Sequence, residues 1–381
     1  MAIIWRHSVL GPRHAAIGGE LEDWNGMGTA WFYDHTPERA KADYETIRTK
    51  AGLMDVSGLK KLHIVGKDAA YVIDRVTTRN VDKIAPGRST YASILNADGK
   101  FIDDCIIYHM SVNQWMLIHG TGAGMEQISA VAAGKDCAVL FDDDLHDISL
   151  QGPVAIDFLA KHIPGIRDLN YFGIMNTRLF GRDVFISRTG YTGERGYEIL
   201  AKGKDMVHLW DTILEEGADM GIGPVQFSTL DWLRTECYLL FYPGDNSETY
   251  PFDGETCGDT LWELGLDFTV SPGKTGFIGA ENHYAAKGNE RFKIYGVKLE
   301  GTTPADEGAE LLQDGKNIGV VTFGMHSEIN NHNVGIARMP VAAAKPGTKL
   351  TVRNGDGTEI ACTAEAMPFY DPKKAIPSAK G

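Results

Sequence analysis

An α+β fold of two or three packed units, ending in a small antiparallel β-barrel, is what the sequence predicts, and three observations carry it. The chain has 381 residues, more than one hydrophobic core usually supports. Helical and strand patterns follow one another without the long alternating series that a parallel βαβ sheet requires. From about Arg291 the texture changes to short β-rich runs with turn residues at regular spacing.

The elements can be justified in order. After a Gly-rich lead-in containing aromatics, Pro37 opens PERAKADYETIRTKAG, a helix with Pro in its first turn and Gly52 as its stop. A strand is expected at KKLHIVG and a helix at KDAAYVIDRVTT. STYASIL and DDCIIYHM read as strands joined through NADGK, whose Asn, Asp and Gly suit a tight turn. WMLIHG is a further strand and GMEQISAVAA a helix. HDISLQG is a strand, PVAIDFLAKHI a helix opened by Pro153, and VFISRTGYTGERGYEILA two strands about a polar turn. KDMVHLWDTILEEGADMG and VQFSTLDWLRTECYLL are helices, the second closed by Pro243. IYGVKLEG, NIGVVTFG, NVGIARM and KLTVRNGDGTEIACTAE supply the barrel, and SPGKTGFIGAENHYAAKGNERF marks the boundary before it.

Composition narrows the function. A hydrophobic share of 43% and a charged share of 23% are ordinary for a globular protein. The net charge of −14 argues against nucleic acid or a membrane surface as partner, because counterion release needs clustered Lys and Arg. No stretch approaches the roughly 20 apolar residues of a membrane helix, and the opening MAIIWRHSVLGPRHAAIGGE has no long apolar run, so a cytoplasmic location is the default expectation. Cys105, Cys137, Cys237, Cys257 and Cys362 are odd in number, scattered and never C-x-x-C, which suggests neither disulfides nor zinc. GTGAG at 120–124 has the wrong spacing for a dinucleotide loop. His326, Glu328 and His332 fall in an Asn-rich stretch that reads as a hairpin loop, and no metal is expected.

Two acidic elements remain as site candidates. Asp103 and Asp104 open the apolar strand CIIYHM, where consecutive side chains point to opposite faces, so only one of them can enter a given pocket. A carboxylate there can raise local proton affinity or stabilise a developing cation. In SRTGYTGERGYEI, residues 187–199, Gly190, Gly193 and Gly196 free the backbone around Glu194. A carboxylate so held can accept two parallel hydrogen bonds from an amidine-like edge, such as the 2-amino and N3 positions of a pterin.

These segments carry a resemblance. LNADGKFIDDCIIYHM resembles the "LNxxGGxIDDLIVY" segment of the glycine cleavage T protein, and SRTGYTGERGYEI is similar to its "TGYTGExGYEI". AGLMDVSG, ISLQGPVA, LDWLRTE and FIGAE resemble "AGMFDVSH", "IAVQGPxA", "RDSLRLE" and "FIGRE" in the same order, and GVVTFGMHSEINNHNVGIARM resembles the C-terminal hairpin. The resemblance implies a three-domain cloverleaf with tetrahydrofolate in a central channel. Region 1–285 would hold two interleaved subdomains, roughly 1–55 with 152–248 and 56–151 with 249–285, and 286–381 the barrel. By motif position it implies Asp103 as the catalytic aspartate near folate N5, Glu194 as the carboxylate on the pterin edge, and Tyr191 as a wall.

Departures from the pattern bear on the donor. Leu230 stands where the family has the Arg of "RDSLRLE", Gly58 where it has the His of "DVSH", and His119 where it has the Asn of "VVN". The "FHGW" region is replaced by LEDWNGMGTAWFYDH, with Trp24, Trp31, Phe32 and Tyr33. These aromatics read either as core packing or as a cation–π box for a methylated onium group. A methyl on cationic nitrogen or sulfur leaves with a neutral product, so folate N5 can attack it in line without a metal. The sequence reading is therefore a tetrahydrofolate-dependent methyltransferase acting as a demethylase on a small methylated amine or onium donor, such as glycine betaine or dimethylglycine. The alternatives are the aminomethyltransferase of glycine cleavage, which needs a lipoyl carrier protein, and a non-catalytic folate-binding regulatory or repair protein.

Overall fold

Three sheets and a two-stranded ribbon organise the chain, described by a computed structural model over residues 4–252 and 254–380. The first helix, α1 (Gly11–Ala16), precedes the hairpin of β1 (Glu20–Trp24) and β2 (Met27–Phe32). In α2 (Pro37–Thr49), Pro37 occupies the first turn and the Thr36 hydroxyl accepts the Arg39 N–H, so its start follows the sequence signals. Gly52 does not stop that helix. It lies in β3 (Ala51–Asp55), buried along its whole length, where a Cβ would come 2.7 Å from the Ile47 side chain.

Next come β4 (Lys60–Val65), α3 (Ala69–Val76), β5 (Arg88–Leu95), β6 (Phe101–Ser111), β7 (Gln114–His119), α4 (Gly124–Ala132) and β8 (Ala138–Phe141). β9 (Leu145–Gln151), α5 (Ala155–Ala160), β10 (Ile174–Leu179), β11 (Arg182–Ser187), β12 (Gly196–Lys202), α6 (Gly203–Gly217), β13 (Ile222–Pro224) and α7 (Thr229–Cys237) follow. α7 is shorter than its sequence pattern because Tyr238 turns left-handed, at φ 44°.

Strands β5-β6-β7-β4-β8 form one antiparallel sheet, in that order. A second sheet runs β10-β11-β12-β9-β3-β13, with only the β3/β13 pair parallel. Residues 145–151, grouped with 56–144 in the sequence reading, thus hydrogen-bond between β12 and β3 in the second sheet. The barrel is closed in the order β14 (Phe292–Leu299), β17 (His332–Pro340), β16 (Lys316–Ser327), β15 (Glu310–Gln313), β18 (Lys349–Arg353) and β19 (Glu359–Glu365).

Packing fixes how these sheets face one another. α5 and α6 cover one face of the second sheet, with Phe158, Leu209, Trp210 and Ile213 against Leu53, Ile148 and Ile199. α3 and α4 cover one face of the first, with Val72, Ile73 and Ile128 against Leu62, Ile94 and Ile107. The remaining faces meet through Tyr108, Met116 and Ile118 on one side and Phe185 and Leu200 on the other. Each such side chain contributes about 1.5–3 kcal/mol when fully buried, so this contact sets the sheets' mutual position firmly. The barrel joins through Ile294 and Ile336 against Leu95, Phe101, Leu264 and Phe277, and through the buried Arg338 paired with Glu255 and Asp259. Among the described residues no helix is long and apolar enough to cross a membrane.

Candidate active site

Where the two sheets and the barrel converge lies a cavity of about 950 Å³. β6, β7 and β9, the Gly190–Tyr191 turn, residues 238–242 and 262–268, β14 and residues 366–368 all contribute to its wall. Its surface is dominated by aromatic and aliphatic side chains, among which a few polar groups converge, the usual composition of a small-molecule site.

The paired aspartates take opposite faces of β6, as strand alternation requires. Asp103, Cys105 and Ile107 form the row turned toward α3 and α4, whereas Asp104, Ile106 and Tyr108 form the row turned toward the second sheet. Asp103 is 1% exposed, and its oxygens accept from His119 Nδ1 at 2.8 Å, Gly124 N at 2.9 Å and Asp104 N at 2.9 Å. It reaches the cavity wall, and most of its acceptor capacity is used inside the protein. Among the described residues Asp104 accepts only the Tyr91 hydroxyl, at 2.6 Å. Burial pushes its carboxyl up to about 7, and the neighbouring Asp103 charge adds to the rise. Both aspartates thus line the cavity, the expected Asp103 with three hydrogen bonds to the protein and Asp104 with one among the described residues.

The glycine-rich turn carries its acid away from the main cavity. Glu194 is bonded to Arg48 Nη1 at 2.9 Å and to the Tyr370 hydroxyl at 3.1 Å. It borders a small side pocket rather than the main cavity. Four residues on, in the regular strand β12, Glu198 does line the cavity, accepting the Thr189 hydroxyl. Burial raises its carboxyl too, with Thr189 opposing. Behind it, Asp147 has no hydrogen-bond partner on either oxygen among the described residues, and burial followed by the Glu198 charge holds it well above the usual carboxylate range. Lys61, fully buried nearby, is pushed down to about 8 by burial, with Asp147 opposing. Tyr191 lines the cavity, its hydroxyl donating to the carbonyls of Leu239 and Leu240 at 3.0 and 2.5 Å.

The four aromatics divide. Trp24 and Trp31 line the cavity, their rings 4.5 and 4.7 Å from that of Phe227, which also lines it. Phe32 and Tyr33 do not. The next side chain along β2 points to the other face, placing the Phe32 ring 4.2 Å from His35, and Tyr33 is buried with its hydroxyl 2.9 Å from His14 Nδ1. Gly58 explains how Trp24 fits, since a Cβ there would collide with the Trp24 ring. Leu230 also lines the wall, so no cation stands at the position where the resembling segment has Arg.

His326 and His332 hydrogen-bond within their own hairpin, to Asn333 and Asn330, and Glu328 pairs with Lys41. Among the described residues no three His, Cys, Asp or Glu side chains are grouped as metal ligands.

Residues 10–274 match the family model described as GCVT N-terminal domain, and residues 293–371 the one described as glycine cleavage T-protein C-terminal barrel domain. The chain is 55% identical over 386 aligned positions, covering 100% of both chains, to the heme-dependent oxidative N-demethylase gamma subunit of Ectopseudomonas mendocina (strain ymp). It is 31% identical over 369 positions, 94% of this chain and 97% of the other, to the aminomethyltransferase of Clostridium botulinum (strain Okra / Type B1). The crystal structure of the glycine cleavage system aminomethyltransferase T from Bartonella henselae matches with a TM-score of 0.85 at 25% identity, covering 96% of this chain and 98% of that one.

Proposed function

The chain belongs to the glycine cleavage T-protein family, and on that premise we propose that it binds tetrahydrofolate in the central cavity and loads it with a one-carbon unit taken from an N-methylated amine. The observation that carries this reading is the pair Asp104 and Glu198. They are two desolvated carboxylates in an apolar-walled cavity, and neither has an ion-pair partner within 4 Å among the described residues. Such groups suit a ligand that brings hydrogen-bond donors or positive charge of its own.

The residues fit a pterin. Glu198 can accept the paired donors of its amidine-like edge, a role the sequence reading gave to Glu194, while Tyr191 and Phe227 supply flat apolar walls. Arg79, Lys293 and Lys374 also border the cavity and suit the carboxylates of a glutamate tail. Tetrahydrofolate, when bound, supplies the nucleophilic nitrogen that accepts the carbon. Asp104, whose carboxyl titrates near 7, can hold or release a proton at working pH. The aromatic and aliphatic wall excludes water and strengthens each polar contact inside it.

Full-length likeness to a subunit of an oxidative N-demethylase supports a donor carbon at the oxidation level of formaldehyde, received from a partner enzyme. A second reading, direct methyl transfer from a small methylated amine or onium donor such as glycine betaine or dimethylglycine, is favoured by Trp24, Trp31 and Phe227. Loading from a lipoyl carrier protein is disfavoured by Leu230 in the place of the family's Arg. Calorimetric titration with tetrahydrofolate under nitrogen tests the common premise. Binding should raise the melting temperature by mass action, with about 2.7 kcal/mol of stabilisation at a hundredfold excess over Kd. No heat at high micromolar folate overturns the reading. Carbon-13 from a labelled N-methyl amine, appearing in methylenetetrahydrofolate only with an oxidative demethylase present, separates the first donor from the second.

A further inference from the structure

β7 ends at His119, a residue the folate reading leaves without a role. It is 1% exposed, and its Nδ1 lies 2.8 Å from Asp103 Oδ2, an oxygen that also accepts the Gly124 N–H at the start of α4. An ionised carboxylate only accepts, so Asp103 keeps a proton on Nδ1 and aims the ring. The other nitrogen, Nε2, is buried and has no hydrogen-bond partner among the described residues, while the ring borders the cavity. Leaving a buried acceptor unpaired costs about 1–3 kcal/mol, so an arrangement that fixes one nitrogen and leaves the other bare toward a cavity points to a ligand.

The other buried histidines sharpen the contrast. His14 is bonded at both nitrogens, to Asp55 and to Tyr33, as is His146, to Val9 N and the Asp144 carbonyl, and neither lines the central cavity. His283 has neither nitrogen bonded, but it stacks on Trp262 and is likewise absent from the cavity wall. Of the four buried histidines among the described residues, His119 alone is held at one nitrogen and open at the other.

We propose that His119, held by the positioning residue Asp103, exchanges a proton through Nε2 with the cavity ligand during one-carbon transfer, an inference that rests on the folate reading above. Joining an aldehyde-level carbon to two amine nitrogens expels one water, whose oxygen leaves with one proton from each N–H. His119 protonated at Nε2 gives a proton to the departing hydroxyl and recovers one from an amine N–H. The ring ends as it began, with no oxidant or reductant consumed. The titratable groups packed around it are Asp103, Asp104 and Cys105 of β6 and, across the β4 pairing, Lys60.

The test counts protons. Tetrahydrofolate is titrated into wild type, His119→Asn, His119→Gln and Asp103→Asn under nitrogen, in buffers of different ionisation heat, between about pH 6 and 8. Wild type should take up or release a fraction of a proton on binding, and both His119 variants should change that count by the histidine's share while keeping their affinity, the remainder belonging to Asp104 and Glu198. Their turnover should fall by about 10²–10⁴-fold. Asp103→Asn, which unties the ring, should displace the proton exchange along the pH axis rather than abolish binding. Absence of binding to wild type brings down the folate reading, and this inference with it. Binding with the same proton count in wild type and both His119 variants overturns the inference alone, whatever happens to turnover.

Discussion

Around Arg48 the buried acids are matched by a cation. Glu194 and Glu236 each contact the guanidinium, at 2.9 and 2.6 Å, and Tyr44, Ser327 and Tyr370 supply hydrogen bonds to the same carboxylates. On the cavity wall Asp231 and Glu263 also have their cations, Arg234 and Arg291, but Asp104 and Glu198 have none among the described residues. Among the described residues Asp104 and Glu198 have only hydroxyl donors, and Asp147 behind them has no hydrogen-bond partner on its side chain. Both regions exclude water, so the difference is not burial. A compensated cluster roughly offsets its own desolvation and is costly only when one partner is removed, whereas an uncompensated one is costly until something binds it.

Breaking the compensated region should give the largest effect. Arg48→Met leaves Glu194 and Glu236 buried without their cation and should lower unfolding free energy by about 3–5 kcal/mol, read from the urea midpoint. Tetrahydrofolate should still bind the folded fraction. The next effect separates two glutamates four residues apart. Glu198→Gln should weaken tetrahydrofolate by about 1.5–3 kcal/mol with no loss of unfolding midpoint, because it removes a charge that the apo-protein gains nothing from burying. Glu194→Gln should do the reverse, lowering the midpoint and sparing affinity. A matched result for the two would erase the distinction between the regions.

The same two glutamates show what the sequence carries. The sheets and barrel were legible because their strands alternate or end at Gly, Asn and Asp turns, but β3 escaped detection since AGLMD is buried on both faces and shows no alternation. Asp103 and Asp104 were known to face apart. Choosing between them needed the identity of the layers on either side of β6, which the pattern within one strand does not contain. Glu194 drew attention by its three flanking glycines, whereas Glu198 looked like an ordinary strand residue, although GYEIL places it on the face opposite the buried Tyr197 and Ile199. For Trp24 the signal was the paired departure at Gly58, which makes sense only once the ring is seen filling the space a side chain would need.

The aromatic residues allow a smaller test within the cavity itself. Trp24→Leu or Trp31→Leu should lower affinity for a cationic donor by up to about 2 kcal/mol, roughly thirtyfold, if the second donor reading holds. Phe32→Leu and Tyr33→Leu, facing elsewhere, should leave donor affinity unchanged, although the latter removes the hydroxyl bonded to His14 and should cost stability. Activity toward a formaldehyde-level donor should respond to neither tryptophan beyond lost packing.

The smallest expected effect is on how stability depends on pH. Asp104 keeps its proton in the folded chain up to about pH 7, whereas an exposed aspartate in the unfolded chain releases it near about 3.9. Between those values the folded state binds more protons than the unfolded one, so stability should fall as pH rises from about 4 to 7 and level off above. One proton contributes at most about 1.4 kcal/mol per pH unit, and water reaching the cavity reduces that. Glu198 and Asp147 act in the same direction, so Asp104→Asn should flatten the slope without abolishing it. Urea midpoints of wild type and variant at pH 5, 6, 7 and 8 measure the difference. A slope unchanged by Asp104→Asn would mean that the carboxyl is already compensated in the free protein, and that its place beside Arg48's partners, rather than apart from them, is the correct one.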